Sequence, residues 1–182
     1  MKKFLLIVLT LAVIFVFAAC APEEPSAPDD EATADGGPYE LAMITDAGPI
    51  DNMSFNHGAL QGLKQYAEEN NITYKYYQPA EVSNAAYLDS IALAIEGGAK
   101  LIVCPDDLFE AAVYSAQYQY PDTKFVILNG EPHTDDYKTF AIEPNVNAIY
   151  FAEQEAGFLA GYAIVKEGYT KLGFMGGMAV PA

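Results

Sequence analysis

Beyond residue 38, short apolar runs alternate with longer stretches of helical periodicity. Residues 39–45 (YELAMIT) form an apolar run bounded by Pro38 and the turn-rich DAGPID, which predicts a strand. Residues 54–70 place Phe55, Ala59, Leu63, Tyr66 and Ala67 at helical spacing. Residues 72–78 (ITYKYYQ) are β-branched and aromatic, the composition of a second strand. A helix is expected over 83–96, with Ser83 as N-cap and Gly97-Gly98 closing it. The apolar run 100–104 (KLIVC) predicts a third strand, 108–119 a helix, and 124–128 (KFVIL) a fourth strand. Residues 139–143 read as a shorter fifth strand. Residues 150–166 read as a long helix, with Ala156, Gly157, Ala160 and Gly161 forming a small face for close packing. Residues 171–175 (KLGFM) read as a last strand.

Strands alternating with helices of this length imply repeated βαβ units, and wholly apolar strands imply burial on both faces. The expected fold class is therefore α/β, a doubly wound, mostly parallel sheet built by right-handed crossovers. In such sheets ligands bind beyond the carboxyl ends of the strands, where strand order reverses. That rule selects the loops at 46–56, 105–107 and 129–131, together with Asn145 and Asn147 after the fifth strand. All are polar and rich in Asp and Asn, which suits hydrogen bonding to hydroxyls and amides.

The N-terminus is of a different kind. Met1-Lys2-Lys3, an apolar run over 4–17 and Ala18-Ala19-Cys20 give the parts of a secretory signal, too short to span a bilayer. Cys20 after two small residues resembles the bacterial lipobox, with Phe17 where the pattern prefers Leu. That resemblance implies a signal peptide over 1–19, diacylglycerol on Cys20, and a lipid-anchored protein on the outer face of the cell membrane. Residues 21–38 (APEEPSAPDDEATADGGP) hold no aromatic residue and no aliphatic larger than Ala. Such a segment cannot bury enough surface to order itself, so 20–38 reads as a lipidated, acidic tether.

Charge narrows the partners. Loss of Lys2 and Lys3 with the signal leaves seven lysines, no arginine and 25 acidic residues, a formal charge of −18. A surface this acidic repels nucleic acid and anionic headgroups. Phosphates want Arg, Lys or a Gly-rich helix N-terminus, so uncharged, hydroxyl-rich ligands are favoured, a nucleoside or a sugar. His57 and His133, the nearby cation candidates, read as surface residues far apart. Cys104 reads as a small buried residue at a strand end, without a disulfide partner.

The stretch TDAGPIDNMSFNHGALQGL is the most informative. Asp46 and Asp51 precede a helix whose first turn carries Phe55 and Asn56. Asp51, Asn52 or Ser54 can cap that helix while Phe55 packs into the core; equally, Phe55 can stack on a planar ring whose edge Asn56 reads. Together with YPDTKFVILNG, EQEAGFLAGYA and KLGFMGG, in this order, the stretch resembles the basic membrane protein family of PnrA-like lipoproteins over residue 41 to the end. The resemblance implies a periplasmic-binding-protein fold of two Rossmann- or flavodoxin-like lobes, capture of purine nucleosides, and delivery to an ABC permease. By position, Asp46 resembles the carboxylate that hydrogen-bonds the ligand, Phe55 one wall of an aromatic sandwich, and Asn56 a contact to the base edge. Asn129 stands where the family has an Asp that grips ribose hydroxyls, and Asp106-Asp107 where it has Gly and an aromatic.

On this reading 39–170 is the N-terminal ligand-binding lobe and 171–182 the start of a second lobe that the chain does not continue. The aromatic facing Phe55 across the sandwich is also not in sight. A sensory or regulatory lipoprotein of the same fold, or a sugar-binding importer component, fits the same features. An enzyme holding Mg²⁺ among Asp46, Asp51, Asp106 and Asp107 is the further alternative. The sequence offers no G-x-S-x-G, H-E-x-x-H or G-x-G-x-x-G motif for it, so neither cofactor nor metal is expected.

Overall fold

The computed structural model of the chain describes residues 39–48, 50 and 54–176. Five strands, β1 (Leu41–Ile44), β2 (Tyr74–Tyr77), β3 (Leu101–Pro105), β4 (Lys124–Leu128) and β5 (Val146–Ile149), form one sheet in the order β2-β1-β3-β4-β5. All four pairings are parallel, with Leu41 in register with both Tyr74 and Leu101. The helices are α1 (Phe55–Asn70), α2 (Asn84–Glu96), α3 (Glu110–Gln119) and α4 (Glu153–Lys166), with a 3₁₀ turn at Asp107–Phe109 leading into α3. This is the doubly wound α/β fold that the alternation predicts.

Helix boundaries follow local chemistry. The Ser54 hydroxyl accepts the His57 N–H at 3.0 Å to cap α1, and Ser83 accepts from Ala86 at 3.2 Å to cap α2. Helix α1 closes on Asn71 in the left-handed conformation (φ 53°), and the turn after α2 is made by Gly98 at φ 105°.

Side-chain alternation along the strands divides the core in two. Ala42, Ile44, Ile102, Cys104, Phe125 and Ile127 point to one face, where α2 and α3 bring Tyr87, Ile91, Ala112 and Val113. Leu41 and Met43 point to the other, against Leu60, Leu63 and Ala67 of α1. Each fully buried Ile or Phe contributes roughly 1.5–3 kcal/mol. Cys104 is wholly buried and free, and burial pushes its thiol well above the ordinary range. The inward stripe of α1 is Asn56, Leu60, Leu63 and Ala67. Phe55 and Tyr66, apolar by type, lie on its outer side.

Several expectations need correcting. No strand forms over 139–143. That stretch belongs to an irregular crossover from β4 to β5, with one antiparallel bridge between His133 and Phe140. The buried Gln117 side chain pins it, donating to Ala141 O at 3.1 Å and accepting from Glu143 N at 3.0 Å. The fifth strand comes later, so Asn147 lies within it, opposite Val126, rather than following it. Asn145 is equally structural, its buried amide donating to the carbonyls of Gln117, Tyr120 and Thr123.

His133 is buried, not at the surface. Its Nε2 lies 2.8 Å from Glu110 Oε2, its Nδ1 lies 2.7 Å from Thr134 O, and its ring stacks on Tyr137. Helix α4 starts at Glu153 and has no buried residue, so the small face at Ala156, Gly157, Ala160 and Gly161 packs against nothing among the described residues. Residues 171–175 form no strand. A strand needs a ladder partner, and no described strand lies alongside them.

Candidate functional site at the strand-order reversal

Strands β1 and β3 are neighbours, yet the chain leaves them toward opposite faces, β1 to α1 and β3 to α3. Their divergence opens the crevice where α/β sheets of this order hold ligands. Asp46 follows β1 and Asp106 follows β3. Asp46 Oδ1 accepts the Gly48 N–H at 2.8 Å, and the loop is tied down by Gln78 Nε2 donating to Gly48 O at 2.6 Å. Asp106 Oδ1 accepts the Asp107 N–H at 2.7 Å. Burial, then its contacts with Asp107 and Asp46, raise the Asp106 carboxyl to about 6.

Asp106 is also strained. Its backbone sits at φ 107°, ψ 159°, a region nearly restricted to glycine that costs a side-chain-bearing residue about 1–3 kcal/mol. Asn129, at the end of β4, is left-handed too (φ 57°) and donates its N–H to Ile149 O at 2.7 Å. The Asp106 N–H donates to Leu128 O at 2.9 Å, which sets Asp106 beside the start of the Asn129 loop.

Phe55 and Asn56 open α1 just behind the β1 loop, and there they divide. Phe55 is 45% exposed, whereas Asn56 is 8% exposed with its side-chain oxygen unpartnered. The Phe55 ring meets Phe151 edge-to-face, with centroids 6.0 Å apart. Asp51 lies outside the described residues. Asp107 lines a hollow of about 180 Å³ with Asn84, Glu110, His133 and Tyr137 that includes neither Asp46 nor Phe55. Among the described residues, no three His, Cys, Asp or Glu side chains are grouped to hold a metal ion.

Sequence reasoning missed two residues here. Phe151 was hidden because the helix was read as starting at residue 150, yet Tyr-Phe directly after a strand is a signal for aromatic contact at the sheet's mouth. Tyr87 falls within the helix expected over 83–96, and nothing in the sequence singles it out. It is 1% exposed and packs at a 40° tilt against Phe109 with ring centroids 4.5 Å apart, but its hydroxyl has no hydrogen-bond partner. Burial first, then the charges of Asp46 and Asp106, raise its pKa. A larger hollow of about 520 Å³ between α3 and residues 134–139 is open, lies away from the reversal point, and gathers none of these groups.

A parallel α/β sheet whose strand order reverses between β1 and β3 carries Asp46 and Asp106 at the end where sheets of this class hold small molecules. The chain belongs to the family described as ABC transporter substrate-binding protein PnrA-like, whose family model matches residues 39–182. It is 30% identical to the ABC transporter nucleoside-binding protein BmpA of Lactococcus lactis subsp. cremoris, across 98% of this chain and 49% of that protein. It is 28% identical to basic membrane protein A2 of Borrelia garinii subsp. bavariensis, across 98% of this chain and 48% of that one. The chain thus spans about half the length of the curated relatives it matches. A solved ABC transporter solute-binding protein from Aeropyrum pernix shares the fold, with TM-score 0.56 at 24% identity, over 72% of this chain and 35% of that one.

Proposed function

We propose that this protein is the substrate-binding component of an ABC-type importer and that it captures purine nucleosides outside the cytoplasmic membrane. The observation that carries the reading is the half-exposed Phe55 ring at the start of α1, directly after the β1 loop that carries Asp46 and next to Asn56, on the end of the sheet where Asp106 follows β3 and Asn129 follows β4. The ring offers a face to a planar base, and the polar side chains offer hydrogen bonds to its edge and to hydroxyls. No ion pair among the described residues reaches Asp46 or Asp106, so the crevice disfavours phosphate. The nucleoside-binding description of the Lactococcus relative supports the same ligand class.

In this scheme Cys20 carries the lipid, residues 20–38 hold the lobe off the membrane, and a permease receives the ligand. Calorimetric titration of the full-length protein with inosine, adenosine and AMP tests the ligand class. Nucleoside binding without AMP binding is expected, and tight AMP binding without nucleoside binding would sink the reading. Labelling with a palmitate analogue tests the anchor: the wild type should be marked and Cys20→Ser should not.

A further inference from the structure

The loop that follows β4 rests on a carboxylate from α3. Glu110 Oε1 accepts the Glu131 N–H at 2.9 Å, and Glu110 Oε2 lies 2.8 Å from His133 Nε2. One side chain thus holds residues 131 and 133, on either side of Pro132. A Cβ built on Gly130 would lie 2.9 Å from Glu110 Oε1 and 3.0 Å from its Cγ, closer than a side-chain carbon normally comes, so glycine is what lets the backbone rest here. His133 is committed on its other nitrogen, with Nδ1 2.7 Å from Thr134 O, and its ring stacks on Tyr137. The remaining ties run to the end of β5: the Tyr150 hydroxyl donates to Glu131 Oε2 at 3.0 Å, and the Asn129 N–H donates to Ile149 O at 2.7 Å. An acidic residue at the first position of a helix ordinarily serves the helix dipole. Glu110 holds that position, yet both its oxygens are committed to the loop.

We infer that Glu110 is a positioning residue for ligand binding: its carboxylate, braced by His133, fixes the backbone of the β4 loop and with it the place of Asn129. This rests on the reading above, in which Asn129 meets the ligand. A loop held in one geometry before binding spares the ligand the cost of ordering it. The chemistry of the clamp allows a conservative replacement. In Glu110→Gln the amide oxygen accepts the Glu131 N–H and the amide nitrogen donates to His133 Nε2, while a neutral imidazole protonated on Nδ1 still donates to Thr134. Glu110→Ala can make neither bond. Gly130→Ala reaches the same clamp from the loop side, because the added methyl displaces the carboxylate from its partners.

A double-mutant cycle separates positioning from plain stability. Full-length wild type, Glu110→Ala, Glu110→Gln, Gly130→Ala, Asn129→Ala and the Asn129→Ala/Glu110→Ala double variant are titrated calorimetrically with adenosine, below their recorded melting temperatures. Amide exchange is followed across residues 129–134. Glu110→Ala and Gly130→Ala should each weaken adenosine binding about five- to tenfold and speed exchange in that loop, the scale of one or two lost hydrogen bonds. Glu110→Gln should stay within about twofold of the wild type. In the Asn129→Ala background, Glu110→Ala should weaken binding no further, whatever it does to the melting temperature. Wild-type affinity in Glu110→Ala, a Glu110→Gln protein as weak as Glu110→Ala, or losses that simply add in the double variant would overturn this inference and leave the nucleoside reading standing. A wild type that binds no adenosine would remove the nucleoside reading and this inference together.

Discussion

Helices α2 and α4 are both rich in Ala and large apolar residues, yet only α2 is buried. In α2, Tyr87, Ile91 and Ala94 sit in the core beneath β1 and β3. In α4, Phe158 is 71% and Leu159 63% exposed, and no residue is buried. The difference is in what lies opposite. Helices α2 and α3 already fill one face of the sheet, α1 covers part of the other, and nothing among the described residues covers α4. An apolar helical pattern says that a helix has a face to bury. It does not say against what.

Substitution on the two sides of this divide gives the largest expected contrast. Phe125→Ala, in the sheet, opens a cavity and should lower unfolding free energy by about 3–5 kcal/mol in urea denaturation followed by circular dichroism. Phe158→Ala, in α4, should shift it by less than about 0.5 kcal/mol. Comparable losses at both positions would show that α4 is packed in solution.

A smaller effect is expected where polar rather than apolar groups hold the lobe together. Gln117 serves two backbone groups of the β4–β5 crossover from a fully buried position. Gln117→Ala strands both and should cost about 1–3 kcal/mol. Hydrogen exchange should then rise in residues 139–145 while β1 and β3 stay protected. Uniform exchange across the lobe would mean that the crossover is held by something else.

How much of this was legible beforehand divides along the same line. Strand β4 was readable to the residue, because KFVIL is an unbroken apolar run between turns. Helix α2 was readable because Ser83 and Gly97-Gly98 mark both ends. Strand β5 was not, since VNAI is four residues with an Asn inside it, and the apolar residues at 139–142 gave a competing signal. The buried clamp made by Gln117, Asn145, Glu110 and His133 was invisible for a different reason: each is polar by type and reads as surface until a partner is known. At the site, Asp46 and Asp106 could be chosen by the reversal-point rule alone. Tyr87 and Phe151 could not, because their roles depend on which elements meet in space.

The smallest stability effect is expected at the site itself, through Asp106. Its carboxyl is raised from the ordinary range to about 6 in the fold, so between about pH 4 and 6 the folded state holds a proton that the unfolded state has released. Stability from this group is therefore present at low pH and lost as pH rises through about 6. Asp106→Asn should flatten that decline in a melting-temperature series from pH 4 to 7. Solvent screening keeps the change small, because the group is only half-buried. A series with the same slope for both proteins would remove Asp106 as its source.

Phe55 separates a binding ring from a core ring most directly. Its exposure and its position outside the α1 core stripe leave it open to the ligand contact proposed above. Stacking of a base on an aromatic side chain contributes ~1–3 kcal/mol, about ten- to a hundredfold in affinity. Calorimetric titration of full-length Phe55→Ala with adenosine, beside its melting temperature, is the decisive measurement. Affinity weakened by at least about tenfold at an unchanged melting temperature is the predicted result. Unchanged affinity with a large fall in melting temperature would contradict the account.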